Sequence, residues 1–514
     1  MSTTRRPVLV AAGVGLAVLA LQLAFLNHDF TVDGLAYAAA VERGGPLLHS
    51  NHLLFNPLHA GLRWLLGLVG LGDLRSAWTM QAGNLVAAAI AAAAMVRIAL
   101  LRGSPLVAAA CGLLLVSGFG FWTFSQEPEV YLLPAACVAW SLWLLADPRP
   151  LTRARVLALA LLAAAAVLLL QQYVLWYPAL LWLAWRRLPG DDRARAMRRD
   201  LLLLPWLLPL LVYLLLGAAN DAFGSLPATL DWFLGYGYDP ETGFGTYRAA
   251  PPLAVRLMSL LFALGNLLFA YELILHPGWW APAVAVPLLL AVALLPLRRA
   301  PRGAREAAPL LAFAAANLLF VLWWEARNIE FLLPVWLAAV AIVAGNADRL
   351  QRWPLLGAVL LLFAVNAATA MAGQRDWPAR YRLAAALGDA EALAAGDVLV
   401  TEELNTVLWL DYFEARPLRF LPGAVSSAMH ADRDLGSTRA QLRDALQGGA
   451  RVYTLELAEH GRLRAIAERL SWLGRPLPPG GVQGAIDVVY DGFVLDPVAA
   501  VPGAYRVRLR ERGG

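Results

Sequence analysis

The stretch NHDFTVDGLAYAAAVERGGPLLHSNHLL, residues 27–54, sets Asp29 and Asp33, two of its three carboxylates, and three imidazoles, His28, His49 and His52, directly behind a long apolar run. If the stretch is helical, acids four apart share one face and histidines three apart share another. Carboxylates so placed can take a proton from a hydroxyl, and imidazoles can bond a substrate or hold a metal. A second stretch, FSQEPEVYLLP at 124–134, offers Glu127 and Glu129, with Pro128 suited to a helix's first turn and Glu129 near that helix's positive end. A third, LLLQQYVLWYP, carries Gln171 and Gln172 beside Tyr173, and a fourth, WWEARNIEFLLP, carries Glu325, Arg327 and Glu330. Arg256 interrupts another apolar run. A plainer role competes for each: solvated loop residues for the first, helix-start chemistry for the second, hairpin capping for the third, a Glu–Arg surface pair for the fourth.

What must position these groups is a membrane. Of 514 residues 60% are apolar and 15% charged, with no lysine, which places the chain among polytopic α-helical membrane proteins. Twelve apolar segments read as candidate spans, near 8–26, 77–100, 104–123, 129–146, 156–171, 173–185, 200–218, 256–275, 279–297, 308–324, 330–345 and 354–371. Arginine-rich loops at 101, 147, 185, 297 and 346 should face the cytoplasm. Segments between successive basic loops must then be even in number, which fails only between 200 and 297. The segment 256–275, with Arg256, Asn266 and Glu272, is the one expected not to cross.

Eleven crossings follow, about 11–12 spans in all, in a domain covering 1–372. The N-terminus is expected in the cytoplasm, on an uncleaved anchor, in the plasma or inner membrane. Facing outward are a long first loop (27–75), the turns at 124–128 and 325–329, and a loop at 219–255 containing DWFLGYGYDPETGFGTYRAAPP, whose aromatic rings suit sugar faces or a membrane interface. The four polar stretches thus meet on one side. Ionised groups at a bilayer centre cost about 2.5 to 3.5 kcal/mol, so at least one acid of the 124–134 stretch is expected to face a pocket.

From 373 to 514 the apolar runs shorten to strand length (DVLVT, RVYTLEL, AIDVVYDGFVL, YRVRLRE) and alternate with helical stretches (STRAQLRDALQGG, GRLRAIAERL), which predicts an extracytoplasmic α/β domain. It holds 17 arginines against 18 acids, so no basic stripe for nucleic acid is expected. Cys111 and Cys137 both fall in apolar runs, which excludes a disulfide framework or a multi-cysteine zinc site.

An acid in a long first loop, followed by HSNHLLFNPL, EPEVYLLP and EARNIEFLLP, resembles the GT-C superfamily of membrane glycosyltransferases. It is most similar to the branch related to protein O-mannosyltransferases and lipid A sugar transferases. The resemblance spans most of the membrane region on short motifs. It implies transfer of a sugar from a polyprenyl-phosphate donor to an extracytoplasmic glycan, lipid or protein, with membrane lipid around the site. Asp33 in DGLAYA best matches the first-loop catalytic acid, with Asp29 as the other candidate. Glu129 matches the second acidic position, and Arg327 the basic residue near the donor phosphate. The chain departs from many relatives in lacking a histidine before Gln171, and from some branches in lacking an adjacent acid pair in the first loop.

Phosphate leaves readily, so such a site needs a base for the acceptor hydroxyl and positive charge for the departing phosphate, but no dedicated acid. This assigns Asp33 as base and Arg327 or Arg256 as phosphate partner. Glu127 or Glu129 positions the acceptor. His49, His52, Gln171, Gln172 and Glu325 contact donor or acceptor. A divalent metal, Mg or Mn, is optional, with Asp33 and Glu129 as oxygen ligands, and a zinc site from His28, His49 and His52 is a lesser alternative. One-step displacement would invert the anomeric centre. The rival readings are a transporter or flippase of lipid-linked sugars and a non-catalytic assembly subunit of the cell envelope.

Overall fold

Inside a bilayer each backbone group must find its partner within the chain, so long apolar runs close into helices. The computed structural model describes residues 5–188, 192–234, 252–299, 301–429, 434–455, 457, 465, 467–469 and 477–510. Six of its helices have the length and apolarity of a span: Arg6–Ala24, Ser76–Ala99, Ala194–Ala219, Pro277–Leu297, Ala307–Trp324 and Arg352–Thr369. A seventh is formed if Pro105–Ser117 and Phe119–Ser125, bent by 73° at their break, count as one. The chain is a multi-span helical membrane protein; among the described residues six or seven helices have the length and composition of a span, where 11–12 were expected. The reason is local: turns cut the other apolar segments into helices such as Leu132–Ala146 with 15 residues and Trp176–Trp185 with 10, against the roughly 20 a crossing takes. The segment from 256 is likewise a helix of 16 residues, Leu253–Leu268, followed by a 3-10 turn at Tyr271–Leu275.

The chain divides into two compact units, one of residues 1–26, 37–273 and 278–372, the other of 27–36, 274–277 and 373–514. In the first, the alanine-rich helix Ser76–Ala99 contacts helices Arg5–Ala24, Pro105–Ser117 and Leu132–Ala146. Small side chains let helix backbones approach when lipid offers no hydrophobic drive. The approach is tight at Gly112, where a Cβ would lie 2.6 Å from Val96 Cγ2 and 3.0 Å from the Ala92 carbonyl. Ser104 accepts from the Val107 N–H and Pro105 opens the helix, so its start is written in the sequence.

The second unit carries one five-stranded sheet of β1 (Val398–Thr401), β2 (Arg419–Pro422), β3 (Val452–Thr454), β4 (Phe493–Pro497) and β5 (Tyr505–Leu509). Its order is β2-β1-β3-β5-β4, with β1 parallel to β2 and β3, and β5 antiparallel to β3 and β4. The expected α/β tail is present, with one correction: AIDVVYDGFVL is not a single strand. Val482, Ala485, Ile486 and Val489 are buried at helical spacing in Gly481–Tyr490, and Gly492, at φ +88°, turns the chain into β4. Of GRLRAIAERL, all but residues 465 and 467–469 lie outside the described residues.

Candidate functional site

The EPEVY turn is held from behind by two amides of the span Ser76–Ala99. Gln81 Nε2 donates to the Gln126 carbonyl at 2.7 Å, and Asn84 Nδ2 donates to the carbonyls of Glu127 and Glu129 at 2.7 and 2.6 Å. Both glutamates are buried, and the following helix starts only at Leu132, so Pro128 lies ahead of its first turn. Asn84→Leu strands two buried carbonyls, and a loss of about 2 kcal/mol is expected. Thermal unfolding of the detergent-purified variant checks this, and an unchanged midpoint would show that the turn holds itself.

The four polar stretches of the sequence meet at one cavity of about 530 Å³ in the helical unit. From HSNH come Asn51 and His52, from EPEVY Val130 and Tyr131, from the glutamine pair Gln171 and Gln172, and from WWEARNIEF Trp323, Trp324 and Phe331. Tyr37, Trp206, Tyr213 and Phe233 extend the aromatic wall. His52 Nε2 lies 2.9 Å from the Tyr37 hydroxyl, and its ring stacks on His49 at 4.3 Å between centroids. Burial, with the His49 charge second, pushes the His52 imidazole down to about 3, so it is neutral at neutral pH. Gln172 Nε2 donates to Asn317 Oδ1 at 2.8 Å and to the Phe331 carbonyl at 2.9 Å, and Gln171 donates to the Phe233 carbonyl. Residues 235–251 of the aromatic loop lie outside the described residues.

The acids that drew attention in the sequence are not themselves in this wall. Glu127 and Glu129 are buried but not in its lining, while Glu325 pairs with Arg327 at 3.2 Å and Glu330 accepts from Asn328 Nδ2 at 2.6 Å. Arg256 donates at 2.5 Å to the carbonyl of Trp323, a wall residue. In the other unit, Asp29 is bonded by Arg380 and accepts from the Tyr381 hydroxyl at 3.3 Å, while Glu403 joins Arg380 at 2.9 Å. Burial alone would lower the Arg380 pKa, but the carboxylates of Glu403 and Asp29 outweigh it and raise it. The helix begins at Val32, so Asp29 and Asp33 do not share a helical face as expected. Asp33 stands in that helix's first turn, where its carboxyl meets solvent yet is surrounded by protein, and this desolvation raises its pKa above the ordinary 3.8.

Sequence reasoning missed Tyr37, Asn51, Asn84 and Asn317. Tyr37 lies four residues after Asp33, and Asn51 sits inside the quoted HSNH; the two helix asparagines carry only the signal of an amide in an apolar run. It also missed His59, one turn after Phe55, 2% exposed and with no hydrogen-bond partner for either ring nitrogen among the described residues. Burial pushes its pKa down to about 4. Between pH 6.5 and 4 the unfolded chain therefore holds a proton that the fold refuses, and stability falls as the pH drops through that window, by roughly 3 kcal/mol at its foot. His59→Leu is expected to flatten this loss in pH-dependent thermal unfolding, and an unaltered pH slope would count against it.

Among the described residues no three His, Cys, Asp or Glu side chains are placed to hold a metal, so neither the oxygen-ligand nor the histidine metal site finds a fitting ligand group. His28 packs instead on Trp377, with ring centroids 5.2 Å apart.

No protein-family model and no curated protein matches the chain. Solved structures do. The crystal structure of ArnT from Cupriavidus metallidurans bound to undecaprenyl phosphate matches 88% of this chain and 93% of its own, with a TM-score of 0.53 at 13% identity. The apo form of that protein matches equally in extent and TM-score, at 12% identity. The fold anticipated from the HSNH, EPEVY and EARNIEF motifs is therefore the fold of this chain.

Proposed function

We propose that the protein is a membrane glycosyltransferase of GT-C type, moving a sugar from a polyprenyl-phosphate donor to an extracytoplasmic glycan, lipid or protein. One observation carries this reading: four polar turns from distant parts of the chain converge on a single aromatic-walled cavity in a membrane domain. It is supported by the likeness to a protein whose crystal form binds undecaprenyl phosphate. An apolar, aromatic wall suits a prenyl chain and sugar faces, while neutral amides and hydroxyls orient a polar head.

Asp33 is the base that takes the acceptor's proton; its raised pKa strengthens it as a base while leaving it ionised at neutral pH. Arg256 is the better-supported phosphate partner, since its guanidinium spends one N–H on the Trp323 carbonyl and has others to offer. Arg327 is the second cation, shared with Glu325. His49, His52, Gln171 and Gln172 contact the donor, and Glu127 and Glu129 shape the acceptor side. The hydroxyl oxygen bonds to the anomeric carbon as the phosphate oxygen leaves with the bonding pair, in one step that inverts that carbon. The C-terminal unit and the polar turns face away from the cytoplasm.

The test is a reconstitution in proteoliposomes with undecaprenyl-phosphate-linked radiolabelled sugar supplied with envelope extract. Label leaving the prenyl lipid for another molecule is the expected result. Label crossing the bilayer still attached to its lipid would establish transport instead.

A further inference from the structure

The first loop enters its helix through a clamp built within the second unit, to which residues 27–36 and 373–514 belong. Asn27 Oδ1 accepts from the Asp29 N–H at 2.8 Å, and the His28 N–H donates to the Gln374 carbonyl at 2.9 Å. Asp29 is bonded by Arg380, which Glu403 also holds at 2.9 Å, and by the Tyr381 hydroxyl at 3.3 Å. Phe30 is fully buried, its ring stacked on Phe413 with centroids 6.0 Å apart, and its carbonyl accepts from the Tyr381 hydroxyl at 3.3 Å and from Asn405 Nδ2 at 3.0 Å. The next residue, Thr31, starts the helix: its Oγ1 accepts from the Gly34 N–H at 3.1 Å and its carbonyl from the Leu35 N–H at 3.2 Å. Asp33 is the second residue of that helix.

Stability alone explains this arrangement poorly. A guanidinium and carboxylates taken from water gain little over apolar side chains of the same volume, and burial of the Phe30 ring would hold the segment in any case. Apolar contact has no direction. Hydrogen bonds at Asp29 and at the Phe30 carbonyl do, and they fix both the place and the orientation of the backbone that enters the helix. A general base must stand within hydrogen-bond reach of the proton it takes, and a misplacement of about 1 Å can cost about 10²-fold in rate. Resting on the reading of Asp33 as that base, we infer that Arg380, acting through Asp29, is a positioning residue for Asp33, which makes the C-terminal unit a working part of the transfer site. Asp29 is thereby the anchor of the loop and not a second base.

The experiment uses the full-length protein in the proteoliposome assay above, with undecaprenyl-phosphate-linked radiolabelled sugar and envelope extract, and adds binding of undecaprenyl phosphate and amide hydrogen exchange. Arg380→Gln should lower turnover per folded protein by about 10- to 100-fold and leave the Kd for undecaprenyl phosphate unchanged. The Gly34 and Leu35 amides should exchange faster while those of β1 do not, and Arg380→Lys, which keeps the charge, should recover part of the turnover. Undiminished turnover by folded Arg380→Gln protein overturns the inference. So does a loss accompanied by weaker lipid binding or by equally faster exchange in β1, since the unit as a whole would then have loosened. If Arg380→Gln does not fold, Asn405→Ala, which takes one donor from the Phe30 carbonyl, is read in the same way. Its expected loss is about two- to tenfold, the worth of one hydrogen bond, and undiminished turnover again overturns the inference. A natural protein that moves no label removes the transferase reading, and this inference with it, before any variant is made.

Discussion

Asp33→Asn is expected to lower sugar transfer by about 10²- to 10⁴-fold, the range a positioned general base contributes, with donor binding little changed. The substitution keeps the side chain's shape at the start of helix Val32–Arg43 and removes its negative charge together with its capacity to take a proton. The pH profile separates a base from a structural acid. A base works ionised, so kcat/KM of the natural protein should rise with pH as Asp33 loses its proton, with the limb displaced above the ordinary carboxylate value of 3.8 because desolvation raises that pKa. In the variant the limb should vanish along with the activity. Full turnover by purified Asp33→Asn protein would remove the residue from the mechanism.

The largest stability effect is expected at Asn366. Its side chain lies fully buried in the span Arg352–Thr369 and serves three backbone groups at once. Nδ2 donates to the carbonyls of Ser117 and Leu268 at 2.9 and 2.7 Å, and Oδ1 accepts from the Ala270 N–H at 3.1 Å. Those groups are left over where Pro105–Ser117 breaks and where Leu253–Leu268 ends. At that break the Leu267 carbonyl would stand 3.0 Å from a Cβ on Gly118, so the backbones meet only because residue 118 is glycine. Asn366→Leu leaves three buried polar groups unpaired, and a loss of about 3–6 kcal/mol is expected. Thermal unfolding in detergent would read it as a large fall in midpoint or as failure to accumulate folded protein. A variant as stable as the natural chain would mean that the break is satisfied in another way.

Much of this molecule was legible in its residues, and the illegible parts have physical causes. HSNH, EPEVY, QQY and the WWEARNIEF stretch were singled out because polar side chains interrupt apolar runs, and each does contribute to the cavity. Yet the contributing residues are mostly their neighbours: Asn51, Tyr131, Trp324 and Phe331 line it, while Glu129 and Arg327 do not. A turn can be recognised from composition, but which of its side chains faces inward depends on what packs behind it. At EPEVY that is Asn84, more than forty residues earlier in the chain. The 481–490 segment failed for a related reason, because a short run rich in β-branched residues suits strand and buried helix alike until its neighbours choose.

The sequence by itself determined the solvent and the materials: a membrane domain, because only helices satisfy the backbone in lipid, then an α/β tail, and a set of polar turns too expensive to be scattered in apolar runs without use. Those properties are local, readable from hydropathy and periodicity over a window of residues. Tertiary structure decided the rest. It left six or seven span-length helices among the described residues where twelve apolar segments stood, engaged Asp29 with Arg380 across 351 residues of chain, and linked Gln172 to Asn317 across 145. Such pairings depend on which backbones can approach, at glycines 112 and 118 and along an alanine-rich helix, and on which buried polar groups have no other partner. No window along the chain contains both halves of them.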